Sequence, residues 1–243
     1  MPAATPTAGA SRRLDPTSRA RLVLVASAVL TIGLYLLPYG RVFAWPLVLV
    51  STLAHELGHG VAALLVGGRF EALRMWADGS GMAVWSGDPG RLARAFVAAG
   101  GLVGPAIAAA ACFLAGRRPR GARTCLLLVA AALLVAALLV VRSLFGFVFV
   151  LALAGVLLLV ATRGGDGLSQ ATLVFLAVQL ALSVFSRGDY LFMRAATTAE
   201  GVAASDVAQI AAALLLPYWF WGAACGAFSV AVLVLGVVVF WKR

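Results

Sequence analysis

The chain has 243 residues, of which 63% are hydrophobic and 12% charged, and its mean hydropathy is +1.03. Soluble globular domains carry about 45–50% apolar and about 25% charged residues, so this composition excludes an ordinary water-soluble domain. A net charge of +10 would favour nucleic-acid binding in a soluble protein, but these basic residues lie mostly in short segments between apolar runs. There they set topology and meet anionic headgroups of the lipid bilayer, so no nucleic-acid partner is expected.

The first two apolar runs predict two transmembrane helices after a polar tail. Residues 1–20 lack an apolar run and predict a disordered tail, followed by a single transmembrane domain over 21–243. The run Leu22–Leu37 is followed by the turn 38–41 and by no small-residue cleavage site, so it predicts a retained helix rather than a signal peptide. The second predicted helix covers about Phe43–Val66.

The remaining chain predicts one hairpin and five further spans. Two short apolar runs, 70–76 and 82–85, flank the Gly-rich segment 77–81, which is typical of a β-hairpin. The later spans are predicted over about 92–114, over 124–162 in two parts divided at Arg142 and Gly146, over 168–185, and from Asp206 to Phe240 with an interruption at Pro217. The fold class is therefore an all-α polytopic membrane protein with six to seven transmembrane helices and one small β-hairpin after the second.

The distribution of basic residues predicts the orientation in the cell membrane. With the amino terminus inside, eleven basic residues fall in inner segments, namely Arg12, Arg13, Arg19, Arg21, Arg69, Arg74, Arg91, Arg94, Arg142, Arg187 and Arg194. The outer segments hold the other eight of the 19. The positive-inside rule therefore predicts that the amino terminus, the hairpin and the connection 186–204 all lie on the cytoplasmic side, and that the active site faces that side.

The segment His55-Glu56-Leu57-Gly58-His59 lies within the second predicted helix and has the pattern of a metallopeptidase. Residues four apart project from one face of an α-helix, so both imidazoles can reach one zinc ion at about 2.0–2.1 Å. Glu56 lies on a neighbouring face, within reach of a water molecule on the metal. That water is acidified by the metal, and Glu56 can take its proton as general base for attack on a peptide carbonyl.

The same pattern also occurs by chance on soluble helices, as a salt-bridged surface motif. Two features favour a metal site here: His55 and His59 are the only histidines, and Glu56 is an ionisable residue in the middle of an apolar helix. A charge at that depth is costly unless it is paired or coordinated. The flanking residues are small and would let neighbouring helices approach, namely Ala54, Gly58, Gly60, Ala62 and Ala63.

A catalytic zinc site needs a third protein ligand in addition to a water molecule. No histidine remains, so an acid is expected. Four acids are excluded because they lie in the tail, in polar turns or on the opposite side of the membrane: Asp15, Asp78, Asp88 and Asp166. Asp206 and Asp189 flank the cytoplasmic connection. Asp206 is favoured because it opens an apolar helix directly after Ser205, although an aspartate there also serves simply as a helix cap.

The third predicted span contains a small-xxx-small pair, Gly100 and Gly104. Residues of this size allow two helix backbones to approach closely. We therefore expect these glycines to mark a helix–helix contact rather than a catalytic element.

The sequence resembles the site-2 protease family of intramembrane zinc metallopeptidases, and most closely its compact bacterial members without PDZ or CBS domains. The resemblance begins with Ala54-His55-Glu56-Leu57-Gly58-His59-Gly60 and Leu64-Leu65-Val66-Gly67-Gly68-Arg69. Further similar segments follow in the expected order over residues 50–225: Asp78-Gly79-Ser80-Gly81, Ala99-Gly100-Gly101-Leu102-Val103-Gly104-Pro105, Val141-Arg142-Ser143-Leu144-Phe145-Gly146 and Ser205-Asp206-Val207. Only the first segment is specific by itself.

The resemblance implies that His55 and His59 bind zinc, that Glu56 is the catalytic base, and that an aspartate from a later span is the third ligand. Better-studied members supply that aspartate from an Asp-Gly motif after an Asn-Pro element, whereas Asp206 is followed here by Val207. The implied substrate is a single-span membrane protein cleaved in or near the bilayer, as in regulated intramembrane proteolysis. The predicted hairpin could hold an unwound substrate by adding it as a strand.

The alternative hypothesis is a metal-binding membrane protein without peptidase activity, such as a transporter, a chaperone or a regulatory relative. Ionisable residues within a membrane often mark ion pathways. A transport path should show acids or histidines along successive spans, whereas this chain has essentially one cluster. The sequence therefore favours catalysis.

Overall fold

The computed structural model describes residues 15–88, 90–186 and 190–242, which form eight α-helices and four β-strands. The helices are α1 (Pro16–Leu36), α2 (Gly40–Leu65), α3 (Gly90–Gly116), α4 (Pro119–Leu139), α5 (Leu144–Arg163), α6 (Gly165–Ser186), α7 (Asp206–Leu214) and α8 (Tyr218–Trp241). The strands are β1 (Arg69–Met75), β2 (Gly81–Ser86), β3 (Ala195–Thr198) and β4 (Gly201–Ala204).

Every helix in the described part of the chain except α7 is long and apolar enough to cross a membrane, which gives seven candidate spans. The chain is therefore a multi-pass membrane protein, and the predicted all-α class with a hairpin after the second helix is confirmed. The predicted interruption at Pro217 is also confirmed, because α7 ends at Leu214 and Pro217 occupies the N-cap position of α8.

The first helix begins at Pro16, within the stretch that the sequence assigns to the tail. Asp15 caps it by accepting hydrogen bonds from the backbone N–H groups of Thr17 and Ser18, and proline suits the first helical position because it has no N–H to satisfy. These local interactions extend the helix beyond its apolar run. The rest of the predicted tail, residues 1–14, lies outside the described ranges.

Helices α1 and α6 run parallel, as two polar contacts between them show. Near the start of both helices, the Arg19 guanidinium donates to Gln170 Oε1 at 3.2 Å. Further along, Gln179 Nε2 donates to Thr31 Oγ1 at 2.8 Å. These buried amides are paired within the apolar bundle, which avoids the cost of leaving them unsatisfied.

The bundle has two ends, separated by the length of α4. We call residues 16–21 and 117–121 the amino-terminal end, because residues of both segments line one cavity. We call the β1–β2 hairpin with residues 140–146 the hairpin end, because Leu73 N donates to Val140 O at 2.7 Å. The 21 residues of α4 connect these ends over about 31 Å.

Helix α2 runs alongside the first hairpin and contacts it at both of its own ends. Near its start, Trp45 packs on Phe145 with ring centroids 5.9 Å apart and donates from Nε1 to Ala77 O at 2.8 Å. At its other end, after Leu65, the chain enters β1. The turn of the hairpin thus lies near the start of α2 and the start of β1 lies beyond its end, so the hairpin folds back along this helix. The location of the amino terminus and the hairpin on the cytoplasmic side stays a prediction.

The predicted hairpin is present, and it gains a third segment that the sequence did not predict. β1 and β2 pair antiparallel, and the other edge of β1 pairs with the connection between α4 and α5 through a parallel bridge from Leu73 to Val141. Ser143 then fixes the hairpin to the start of α5, since its Oγ accepts from Met75 N at 2.9 Å and donates to Met75 O at 3.0 Å. Among the described strands, none pairs with the outer edge of β2.

A second hairpin, β3–β4, lies in the segment that the sequence treats only as a polar connection. Gly201 opens β4 with a φ of +126°, a conformation that favours glycine. The tip of this hairpin contacts the first one: Arg74 and Glu200 form an ion pair at 2.7 Å, and Ala199 N donates to Ser80 Oγ at 3.3 Å. The two hairpins therefore lie side by side at the hairpin end.

Candidate metal centre

Helix α2 presents His55, Glu56 and His59, all buried, to the interior of the bundle. The two imidazoles meet edge to face with centroids 4.8 Å apart, and their Nε2 atoms lie 3.2 Å from each other. The helical spacing predicted from the sequence thus brings both nitrogen atoms to one point. Glu56 lies beside them on the same turn.

The ring of His59 is oriented by α3. Its Nδ1 lies 2.8 Å from the backbone carbonyl oxygen of Val97. A carbonyl only accepts hydrogen bonds, so Nδ1 carries the proton, and the Nε2 lone pair is left directed towards His55. Hydrogen bonds of this kind fix the tautomer of histidines that bind metals.

Asp206 enters the site from the first turn of α7, where Ser205 is the predicted N-cap. This prediction is confirmed: Ser205 Oγ accepts from Ala208 N at 3.3 Å and donates to Met193 O at 2.6 Å. The cap directs the Asp206 carboxylate towards the two imidazoles. Its Oδ2 atom lies 3.1 Å from Nε2 of His55, and its Oδ1 atom lies 3.4 Å from Nε2 of His59.

These three side chains fit a metal ion. One ligand atom from each residue lies within 4.8 Å of the other two. The two Nε2 atoms are 3.2 Å apart, close to the roughly 3.3–3.4 Å between ligand atoms of tetrahedral zinc with bonds of about 2.0–2.1 Å. Asp206 Oδ2 is buried and makes no hydrogen bond of acceptable geometry to any described residue, although the His55 nitrogen is near. A buried carboxylate oxygen in that position is costly unless a cation compensates it. Two imidazoles and one carboxylate leave a fourth position open.

Glycines of α3 create the room for this arrangement. A Cβ atom on Gly104 would lie 3.1 Å from the Cα of Gly58. A Cβ atom on Gly100 would overlap the carbonyl oxygen of Gly58. The predicted close helix contact is therefore confirmed. A Cβ on Gly101 would overlap the imidazole of His59, a role that the sequence did not reveal because it depends on how two helices face each other.

The hairpin packs directly against the predicted catalytic base. A Cβ on Gly81, the first residue of β2, would lie 2.9 Å from Cγ of Glu56, so only glycine fits there. Thr52 Oγ1, one turn before Glu56, donates to Gly79 O at 2.7 Å and ties the turn to α2. Hydrogen bonds from the backbone and side chain of Ser80 lower the pKa of Asp78, so this turn carries a negative charge.

The other candidate acids lie elsewhere, in so far as the structure describes them. Asp15 and Asp166 lie at the starts of α1 and α6, at the amino-terminal end, in agreement with their exclusion. Asp78 and Asp88 lie in the turn of the first hairpin and just after it. Asp189, the alternative third ligand, lies outside the described residues. Asp206 is the acid that, with both histidines, forms a group able to hold a metal ion.

Fold and site together define a multi-pass membrane protein with a buried His-His-Asp group that could hold a metal ion beside a glutamate. Residues 23–236 match the family model described as Peptidase M50B-like, so the chain belongs to that family of metal-dependent membrane peptidases. The resemblance to site-2 proteases is thereby confirmed. Searches of curated proteins and of solved structures found no match.

Proposed function

We propose that this protein is a zinc-dependent intramembrane endopeptidase of the cell membrane, which hydrolyses peptide bonds of membrane-anchored proteins. The observation that carries the proposal is the convergence of Asp206 on His55 and His59 at 3.1 and 3.4 Å, directly beside Glu56. Three protein ligands with an open fourth position are typical of catalytic rather than structural zinc. Membership of a peptidase family gives this centre its reaction class.

His55, His59 and Asp206 would hold the metal ion, and Glu56 would handle the proton. A zinc ion in this position supplies polarisation of the peptide carbonyl and acidifies a water molecule. The Glu56 carboxylate accepts the proton of that water as it attacks, and then delivers it to the departing amide nitrogen. Val97, through its carbonyl, keeps the His59 ring in the tautomer that these roles require.

The substrate is proposed to be a single-span membrane protein, bound in extended form along β2. A helix conceals its peptide groups in its own hydrogen bonds, so a transmembrane segment must unwind before hydrolysis. One edge of β1 is already occupied through the bridge to Val141, which leaves β2 with an outer edge that no other described strand covers. Strand addition there would bring substrate backbone past Gly81, next to Glu56. Regulated intramembrane proteolysis is the process that such a reaction would serve.

The proposal is tested by Glu56→Gln, which keeps the shape of the side chain and removes its basicity. We expect cleavage of a single-span membrane protein by the purified enzyme in liposomes to fall by about 10²–10⁴, the usual contribution of a general base. Glu71→Gln is the control, because Glu71 is exposed on β1 and accepts from Ser86 Oγ. Unimpaired cleavage by Glu56→Gln with retained zinc would refute the proposal.

The second candidate is a metal-binding membrane protein without peptidase activity. It shares the metal centre, so metal content alone cannot separate the two functions. A transport path requires further ligand groups along the bundle, and the described residues contain one group of three or more such side chains, at His55, His59 and Asp206. That observation favours catalysis. Stoichiometric zinc that is lost in His55→Ala, together with no hydrolysis of any single-span substrate, would support the second candidate instead.

A further inference from the structure

A cavity lies at the amino-terminal end of the bundle, at the other end of α4 from the hairpin. It has a volume of about 400 Å³ and lies between the start of α1, the connection from α3 to α4 and the end of α8. Cavities of about 300–1,000 Å³ are typical of small-molecule sites. The proposed peptidase reaction makes no use of it.

Three arginines line this cavity. The Arg117 side chain buries its Nε atom, which has no hydrogen-bond partner among the described residues. Arg21 is held at the wall by Trp241, since its Nη2 donates to the tryptophan carbonyl at 2.6 Å and its guanidinium lies 5.1 Å from the ring centroid. Arg118 is exposed at the mouth. No acidic residue is among the described residues that line the cavity, so its charge is positive.

The amino terminus of α4 adds to this positive charge. Its N-cap residue, Arg118, makes no side-chain capping hydrogen bond, and its first turn, all of it described, contains no acid. Gly121 of this turn lines the cavity. Helix N-termini favour anions because their N–H groups and dipole point outward. The neighbouring α1, by contrast, is already capped by Asp15.

The remaining wall is apolar. Leu114 and Ala115 from the end of α3 and Phe240 from the end of α8 line it. Leu114 is 48% exposed on the outer surface of a helix that is apolar enough to span the membrane. The cavity therefore combines a cationic mouth at the end of the bundle with an apolar flank that continues along the surface where lipid chains run.

We propose that this cavity binds the phosphate of an anionic phospholipid headgroup. The three arginines and the start of α4 match the phosphate oxygens, and the Leu114 flank matches the first part of an acyl chain. A free phosphate ion shares the anionic chemistry but gains nothing from the apolar flank. Basic pockets between transmembrane helices are known binding sites for such headgroups.

The test is binding of defined lipids to the purified full-length protein in neutral detergent, measured by native mass spectrometry. The probes are phosphatidylglycerol, phosphatidylcholine and inorganic phosphate at matched ionic strength. We expect one phosphatidylglycerol per chain, bound at least about tenfold more tightly than phosphatidylcholine or inorganic phosphate. Arg117→Gln and Arg118→Gln should each weaken it about fivefold, the factor equal to about 1 kcal/mol per basic residue at an anionic surface.

The matched control is Arg120→Gln, two residues from Arg118 but not part of the cavity wall. Its binding of phosphatidylglycerol should stay within about twofold of wild type. If Arg120→Gln lost as much affinity for phosphatidylglycerol as the two cavity variants, the attraction would be a diffuse surface effect and the proposal would be overturned. Equal affinity of the wild type for phosphatidylglycerol and phosphatidylcholine would overturn it too. Inorganic phosphate binding as tightly as the lipid would overturn the lipid assignment. If Arg117→Gln misfolds, two measurements still test the proposal. They are the headgroup preference of the wild type and the affinity of the Arg118→Gln variant, whose changed residue is exposed.

Discussion

The carboxylate of Asp206, in the first turn of α7, lies 3.1 Å from Nε2 of His55 on α2. In the proposed zinc centre this contact would complete the donor set, because two histidines on one helix supply only two of the three ligands that a catalytic zinc needs. The short helix α7 is thus more than a connection to α8. It delivers one charged group into the bundle.

Asp206→Asn should abolish stoichiometric zinc binding and peptidase activity together. The amide keeps the size of the side chain but loses the negative charge that compensates the metal ion. We expect zinc affinity to fall by more than the roughly 10–100-fold that follows loss of an outer hydrogen-bond partner, measured by metal analysis of the purified protein. Asp166→Asn, at the opposite end of the bundle, should keep full zinc content. A zinc-replete Asp206→Asn protein would show that another residue is the third ligand.

Local features of the site could be predicted from the sequence, because they depend on neighbouring residues. Helical spacing places His55 and His59 on one face, and the serine before Asp206 gives an N-cap that the structure contains. Contacts between distant segments could not be predicted in this way. The overlap that a side chain on Gly101 would make with His59 and the pairing of Val141 with β1 arise only when the helices are packed.

Ser205→Ala tests whether the cap positions the ligand. The change removes the acceptor for Ala208 N and the donor to Met193 O. Loss of an N-cap hydroxyl costs about 1 kcal/mol of stability, and a less well-oriented Asp206 should lower zinc affinity about 10–100-fold. Competition with a zinc chelator measures that affinity. Ser205→Thr, which keeps the hydroxyl, should retain most of the wild-type zinc affinity. A Ser205→Ala protein that binds zinc as tightly as the wild type would show that the cap does not position Asp206.

Gly101→Ala should damage the site while the protein remains folded. The added methyl group overlaps the His59 imidazole, so the ring must move away from the point where the three ligands meet. We expect weaker zinc binding and a fall in activity of at least about tenfold, the scale of a disturbed metal ligand. Gly155→Ala on α5 is the matched control, because a Cβ there has no neighbour within 4 Å. Both variants are compared with the wild type by metal content, activity and thermal unfolding. Wild-type activity in Gly101→Ala would contradict the predicted overlap with His59.

The arrangement of the two ends predicts which segments share a side of the membrane. In a variant without its native cysteines, single cysteines at Ser18, Arg120 and Ala199 can be labelled with a membrane-impermeant maleimide in intact cells. Ser18 and Arg120 lie at the amino-terminal end and should react alike, whereas Ala199 at the tip of β3–β4 should show the opposite accessibility. The orientation expected from the distribution of basic residues instead places Ser18 on the same side as Ala199. Labelling that groups Ser18 with Ala199 would therefore contradict this arrangement of the two ends, and with it the separation between the lipid cavity and the proposed metal centre.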